Sequence, residues 1–380
     1  MAEGIYTERE WRLHGASIPR SMPVCWGAQY VQSVPKRRLY QHRGVHAAML
    51  LCAVVISLMI PVCSRRRAEP AAYPMAVAPA SKAQLNVRKV TGISFAMPLG
   101  LTMVQHTYSA EELCRGKMLL LDEEHPLPAL APPPNTLTIA TYGKGMVPVG
   151  DLSLKTGKET IRALTRLFAD LRGSGTGGFV VWQGAQTRAE QLEQALACMR
   201  TQAGQMSVEE AARQVWLTME QPGSGELQQE YTVELRMVQE SAHLPDPRSP
   251  EETVQGRQLL RYAWRNGFIR TKPDGAKQHP FRFRYVGIAH ATAMTYLDVD
   301  MPTYLAVLHE KRVMTVQGES GQVYLIQCVP VQGERTVLQL PQGSASEVSY
   351  DNTGYAIAVS VLEDSWAVRE ETPQPVKASR

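Results

Sequence analysis

Apolar residues recur at helical spacing between Lys158 and Leu171, where Ile161, Leu164, Leu167, Phe168 and Leu171 fall on one face. This pattern predicts an amphipathic helix, and the run Gly173–Gly178 (GSGTGG) stops it. Helical patterns also cover Arg188–Thr201, Val208–Met219 and Val254–Asn266, the last with Gly267 at its natural stop. Lys117–Pro128 (KMLLLDEEHPLP) reads as a short apolar strand followed by a polar turn bounded by proline. Phe179–Trp182 is a buried type of strand, Glu230–Met237 alternates like a strand, Phe281–Gly287 is a further strand, and another element begins at Ala289. From about Arg312 the texture changes. Val313–Val316, Val323–Val329, Arg335–Leu340 and Tyr355–Leu362 are short apolar runs between glycine-containing turns, which predicts a small β-module. The class is α+β, without internal repeats.

A different pattern lies upstream. Val45–Cys63 is 19 residues without Asp, Glu, Lys or Arg. A helix of that length rises ~1.5 Å per residue and just spans a hydrocarbon layer of ~30 Å. The expectation is therefore a basic cytoplasmic tail (1–44), a transmembrane signal anchor (45–63), an Ala/Pro-rich linker (64–95), a main domain (96–312) and the β-module (313–380). That organisation makes a single-pass cell-membrane protein with its body outside. A cleaved signal peptide is the alternative, disfavoured by Arg65, Arg66 and Arg67 directly after the apolar run. The net charge of +4 belongs to residues 1–44, which hold seven bases and three acids. The rest balances at 33 bases and 33 acids, and a neutral body excludes a nucleic-acid partner, which needs a basic face. Six cysteines without a CxxC pair read as scattered small apolar side chains.

Candidate chemistry is concentrated in a few motifs. Lys155–Gly157 (KTG) reads as a turn, since its one plausible Ser-x-x-Lys partner, Ser33–Lys36, lies ahead of the apolar segment. The glycine-rich run lacks the Gly-Lys-Ser/Thr of a phosphate loop. His125 reads as structural, and His106, His243 and His309 as surface or packing residues. The remaining signals are Gln183–Gln191 (QGAQTRAEQ), Pro222–Glu234 (PGSGELQQEYTVE), Tyr262–Arg270 (YAWRNGFIR) and His279–Gly287 (HPFRFRYVG).

Together with Gly116–Pro128, and in this order, these motifs resemble the VanY-type zinc D-alanyl-D-alanine carboxypeptidases over roughly Gly92 to His309. Gly116–Pro128 is similar to the family's opening strand and His-Pro-Leu-Pro turn. The second motif matches Ser-Gly-Tyr-Arg-Ser-x-x-x-Gln at Gly184 and Gln191, with Thr187 for Ser. The third aligns without gaps to Pro-Gly-x-Ser-Glu-His-Gln-x-Gly-x-Ala-x-Asp. The last resembles Glu-Pro-Trp-His-Phe-Arg-Tyr-Val-Gly. The resemblance implies a D-Ala-D-Ala carboxypeptidase (hedgehog/LAS-like) fold. It also implies a zinc ion held by three side chains, a glutamate base and an arginine that orients the substrate. In this chain the ligand positions are Leu227, Glu234 and Arg282, the base position is His279, the arginine position is Gln186, and the close-approach glycine is Glu230. An aliphatic side chain has no lone pair and a guanidinium cannot be deprotonated. The expectation is a degenerate member, a pseudoenzyme of the cell wall for which no metal cofactor is expected although the family uses zinc. Gln186, Arg188, Glu234, His279 and Arg282 would line its cleft, with Arg282 receiving a terminal carboxylate. Its partner would be a peptidoglycan stem peptide ending in D-alanine, or an envelope protein. Two alternatives stay open: an active metallocarboxypeptidase with ligands rebuilt from Glu226, Glu234, His279 and His290, and a membrane-tethered scaffold whose β-module binds a partner.

Overall fold

The helix predicted from Lys158 forms as α1 (Lys158–Gly173), and its apolar stripe, Ile161, Leu164, Leu167, Phe168 and Leu171, lies in the core. The structure, a computed structural model, describes residues 92–238, 250–271 and 281–362. Five more helices follow: α2 (Arg188–Gln202), α3 (Val208–Thr218), α4 (Val254–Ala263), α5 (Ile288–Leu297) and α6 (Met301–Lys311). After α4 a 3-10 turn, Trp264–Asn266, ends at Gly267 with φ 85°, a left-handed conformation that favours glycine and stops the helix where the sequence predicted.

The strands are β1 (Ile93–Ser94), β2 (Met103–Ser109), β3 (Thr136–Thr138), β4 (Lys155–Gly157), β5 (Phe179–Gln183), β6 (Thr232–Met237), β7 (Phe268–Arg270) and β8 (Arg282–Tyr285). Then come β9 (Val313–Gln317), β10 (Val323–Pro330), β11 (Arg335–Pro341), β12 (Ser346–Tyr350) and β13 (Tyr355–Leu362). Two sheets matter most. One is antiparallel with order β5-β6-β8-β7, and its apolar face packs with α1 and α4 in the core. The other has order β1-β9-β10-β13-β12, while β2 pairs with β11 and β3 with β4. The C-terminal strands therefore pair with strands from the start of the described residues, and residues 92–362, where described, lie in one compact unit.

The mixed α+β class is observed, with several local corrections. Lys117–Leu121 is not a strand. Met118, Leu119 and Leu121 are buried, but the backbone is satisfied irregularly: Met118 N donates to Ser349 Oγ at 2.9 Å and Leu120 N to the Asp351 carbonyl at 3.0 Å. Lys155–Gly157 is strand β4 rather than a turn. His125 is held locally, as expected, with Nδ1 2.9 Å from Asp122 Oδ1. The expectation of a single-pass cell-membrane protein with its body outside is also corrected. Among the described residues no helix is long and apolar enough to cross a membrane, and the segment 45–63 lies outside the described residues. The end of the stretch read as linker, Ile93–Ser94, forms β1.

Candidate functional site

Strand alternation builds the site. On β6, Val233, Leu235 and Met237 enter the core, so Thr232, Glu234 and Arg236 point to the other face. On β8, Phe283 enters the core, so Arg282 and Arg284 share the face of Glu234. The register places Glu234 directly opposite Arg282, and Thr232 opposite Arg284. Residues 219–231, including the 3-10 turn Glu226–Gln228, supply further partners for this charged face.

Burial of so many charges is tolerable only because they are paired. Arg282, 4% exposed, places Nη1 2.5 Å from Glu220 Oε1 and Nη2 3.6 Å from Glu234 Oε2. Arg284, with no exposed surface, lies with Nη1 3.6 Å from Glu226 Oε1. Its Nη2 donates to the carbonyls of Lys117 at 2.7 Å and Leu119 at 2.6 Å, and to Gln229 Oε1 at 2.7 Å. Arg236 lies over the Trp182 ring, 4.1 Å from its centroid, with Nη2 3.9 Å from Glu234 Oε1. Burial raises the Glu226 carboxyl above the ordinary carboxylate range, with Arg284 and Arg282 opposing it. Burial likewise lowers Arg284, and brings Arg236 down to about 10 against the pull of Glu234.

The three expected ligand positions do not fit zinc. Leu227 is buried and offers only hydrocarbon at its side chain, while its carbonyl accepts from Gln186 N at 2.7 Å. Glu234 is engaged by two arginines, and Arg282 presents donors only. Among the described residues, no group of three or more His, Cys, Asp or Glu side chains is placed to hold a metal ion. His290 is elsewhere: it sits buried on α5 with Nδ1 2.8 Å from Tyr304 Oη, and burial brings it down to about 3. His279 lies outside the described residues.

The other candidates separate as well. Gln186 donates from Nε2 to Gln194 Oε1 at 3.1 Å. Arg188 is not on a strand continuing from β5. It is exposed and opens α2, behind a capping box formed by Thr187 and Glu190. Glu230 is engaged elsewhere: its side-chain Oε2 accepts from Asn135 N, and its carbonyl accepts from Gly157 N at 2.8 Å, Thr156 Oγ1 at 2.8 Å and Thr160 Oγ1 at 2.9 Å. Gln191, a position shared with the resembled motif, ties α2 to the covering segment by donating from Nε2 to the Glu220 carbonyl at 3.0 Å. Sequence reasoning missed Glu220, Arg236 and Arg284. The period of two on β6 and β8 carries a signal for both arginines, but nothing local marks Glu220.

No protein-family model matches the chain. A D-alanyl-D-alanine carboxypeptidase of Enterococcus faecium is 28% identical over 108 residues, 27% of this chain and 35% of that protein, so the match spans about a third of the relative. The vancomycin-resistance D,D-dipeptidase VanXYg, solved with a D-Ala-D-Ala phosphinate analogue, shares the fold. Its TM-score is 0.54 at 17% identity, over 68% of this chain and 99% of that one. The vancomycin-resistance D,D-pentapeptidase VanY of a VanB-type cassette, solved as a mutant in complex with Zn(II), aligns with a TM-score of 0.39 at 21% identity. That alignment covers 50% of this chain and 98% of that one. The resemblance to the VanY-type D-alanyl-D-alanine carboxypeptidases is borne out.

Proposed function

We propose that this relative of the VanY-type carboxypeptidases binds the D-alanine end of a peptidoglycan stem peptide without zinc-dependent hydrolysis. One observation carries the reading. At a position where the resembled family has a metal-binding histidine stands Arg282, buried and ion-paired to Glu220 and Glu234. A fixed guanidinium supplies positive charge in the place of the ion, and its planar fork suits a carboxylate rather than a scissile carbonyl. The paired carboxylates hold it there, since an unpaired buried cation costs several kcal/mol. No side chain at the three ligand positions both offers a lone pair and is free of a cationic partner, so no hydrolytic step is derived.

The test uses the full chain. Metal analysis after dialysis against Zn²⁺ is expected to show no stoichiometric zinc, and incubation with a muramyl pentapeptide no released D-alanine. Calorimetry with D-Ala-D-Ala is expected to show binding that Arg282→Met weakens at least about tenfold, the effect of losing a charge-assisted contact of about 1.5–3 kcal/mol. Stoichiometric zinc together with D-alanine release would overturn the reading.

A further inference from the structure

We propose that Glu220 is a built-in stand-in for the ligand's carboxylate, so that the site rests closed and a peptide C-terminus opens it by displacing Glu220 from Arg282. This deepens the preceding reading and rests on it.

Four observations support the role. First, Glu220 Oε1 makes the closest ionic contact of Arg282, 2.5 Å from Nη1, whereas Glu234 Oε2 stands 3.6 Å from Nη2, beyond hydrogen-bond reach. The contact a carboxylate ligand would seek is therefore already made by the protein itself. Second, Glu220 is the glutamate best placed to leave. Its side chain is 20% exposed, against 4% for Glu234. It follows the end of α3, where Met219 has turned extended (φ −113°, ψ 142°), and its carbonyl stays anchored by Gln191. Withdrawing the carboxylate by side-chain rotation would leave that carbonyl anchor in place. Third, the neighbouring Gly225 leaves room for it: a Cβ at Gly225 would come within 2.9 Å of Glu220 Oε2. Fourth, the named charges balance, with Arg236, Arg282 and Arg284 facing Glu220, Glu226 and Glu234. An incoming carboxylate would find each of these guanidiniums already facing a carboxylate, so pairing with Arg282 requires its nearest one to give way. Glu234 is fixed on β6 opposite Arg282, and Glu226 belongs to Arg284. Glu220 is left as the exchangeable anion.

An internal competitor lowers apparent affinity by the fraction of molecules it occupies, so a contact closed nine-tenths of the time weakens binding about tenfold. The experiment is calorimetry on the full chain with D-Ala-D-Ala and with its C-terminal amide, for the wild type, Glu220→Ala, Glu220→Gln and Arg282→Met. The near-isosteric Glu220→Gln keeps the test valid should the alanine variant fail to fold, and circular dichroism checks each. Both Glu220 variants are expected to bind the dipeptide about tenfold more tightly, with no gain for the amide. If Arg282→Met loses binding while Glu220→Gln matches the wild type, Arg282 reads the carboxylate without a competitor: the inference fails and the preceding reading stands. An equal gain for the amide would show a merely loosened site and also sink it. If no variant and no wild type binds the dipeptide, both fall.

Discussion

Arg284 is the residue on which the charged face depends most. A single Nη2 group serves the Lys117 and Leu119 carbonyls and Gln229 Oε1. Replacing it with methionine keeps much of the volume but leaves three acceptors without that donor and the Glu226 carboxylate without its nearest cation. Breaking a buried pair from one side costs about 3–5 kcal/mol. Urea unfolding of Arg284→Met is expected to show a loss of that size, and a loss below about 1 kcal/mol would mean that water replaces the guanidinium. His290 gives a pH signature instead. Burial holds it neutral, with its folded value brought from 6.5 to about 3, next to Tyr304. The unfolded chain takes up this proton first as acid is added. Its contribution is therefore complete above pH 6.5 and is lost progressively as pH falls towards 3. The slope from this residue reaches at most about 1.4 kcal/mol per pH unit. Urea midpoints measured from pH 7 to 4 are expected to fall less steeply in His290→Gln than in the wild type. Parallel curves would exclude His290 as the cause.

Between elements, glycine sets how closely β4 and the end of β5 approach. A Cβ at Gly184 would lie 2.2 Å from the Lys155 carbonyl oxygen, the same oxygen that accepts from Ala185 N at 2.8 Å. The obstacle is backbone, so it cannot rotate away. Gly184→Ala is expected to cost about 1–3 kcal/mol, the usual range for overpacking, read as a lowered thermal midpoint, and an unchanged midpoint would mean that the turn has slack. This glycine was legible in the sequence as part of a motif, as were α1 and α4, because a wide apolar stripe has few other solutions than a helix on a core. Elements without such a stripe were not legible. Met103–Ser109 (MVQHTYS) and Ser346–Tyr350 (SEVSY) lack clean apolar alternation, and the partner of the first, β11, lies more than 200 residues along the chain, while the second pairs with its neighbour β13. Helix α6 did carry a start signal, Asp300 as N-cap with proline in the first turn, that the apolar reading passed over. Within the site, Arg282 and Glu234 could be placed by period two alone. Glu220 could not, because it meets Arg282 across 62 residues from a segment with no regular structure at that point.

At the scale of the whole molecule, the strands read as a separate β-module brace one wall of the charged face, the segment Lys117–Leu121. Strands β12 and β13 and the turn between them hold Lys117–Leu121: Ser349 accepts from Met118 N, the Asp351 carbonyl accepts from Leu120 N, and Asn352 donates to the Leu120 carbonyl at 3.0 Å. Lys117 Nζ reaches Glu347 on β12 at 2.6 Å and Glu159 on α1 at 2.7 Å. That same segment offers the two carbonyls that Arg284 needs, and Arg284 neighbours Arg282 on the charged face. The chain of contacts thus runs from the C-terminal strands through Lys117–Leu121 to the face where Glu234 and Arg282 pair. Strand β1 pairs with β9, and β2 with β11, so both ends of the described residues are woven into one structure. Ending the chain after Lys311 would leave β1 and β2 without partners and the buried donor at Met118 unmet, which alone costs about 1–3 kcal/mol. Small domains carry only about 5–15 kcal/mol in all, so the shortened chain has little margin. The full chain is therefore expected to unfold in one transition by circular dichroism and by tryptophan fluorescence together, and a chain ended at Lys311 to lose cooperative unfolding. If the shortened chain instead melts cooperatively and still binds D-Ala-D-Ala, the C-terminal strands are an independent module and the wall contributes nothing to the site.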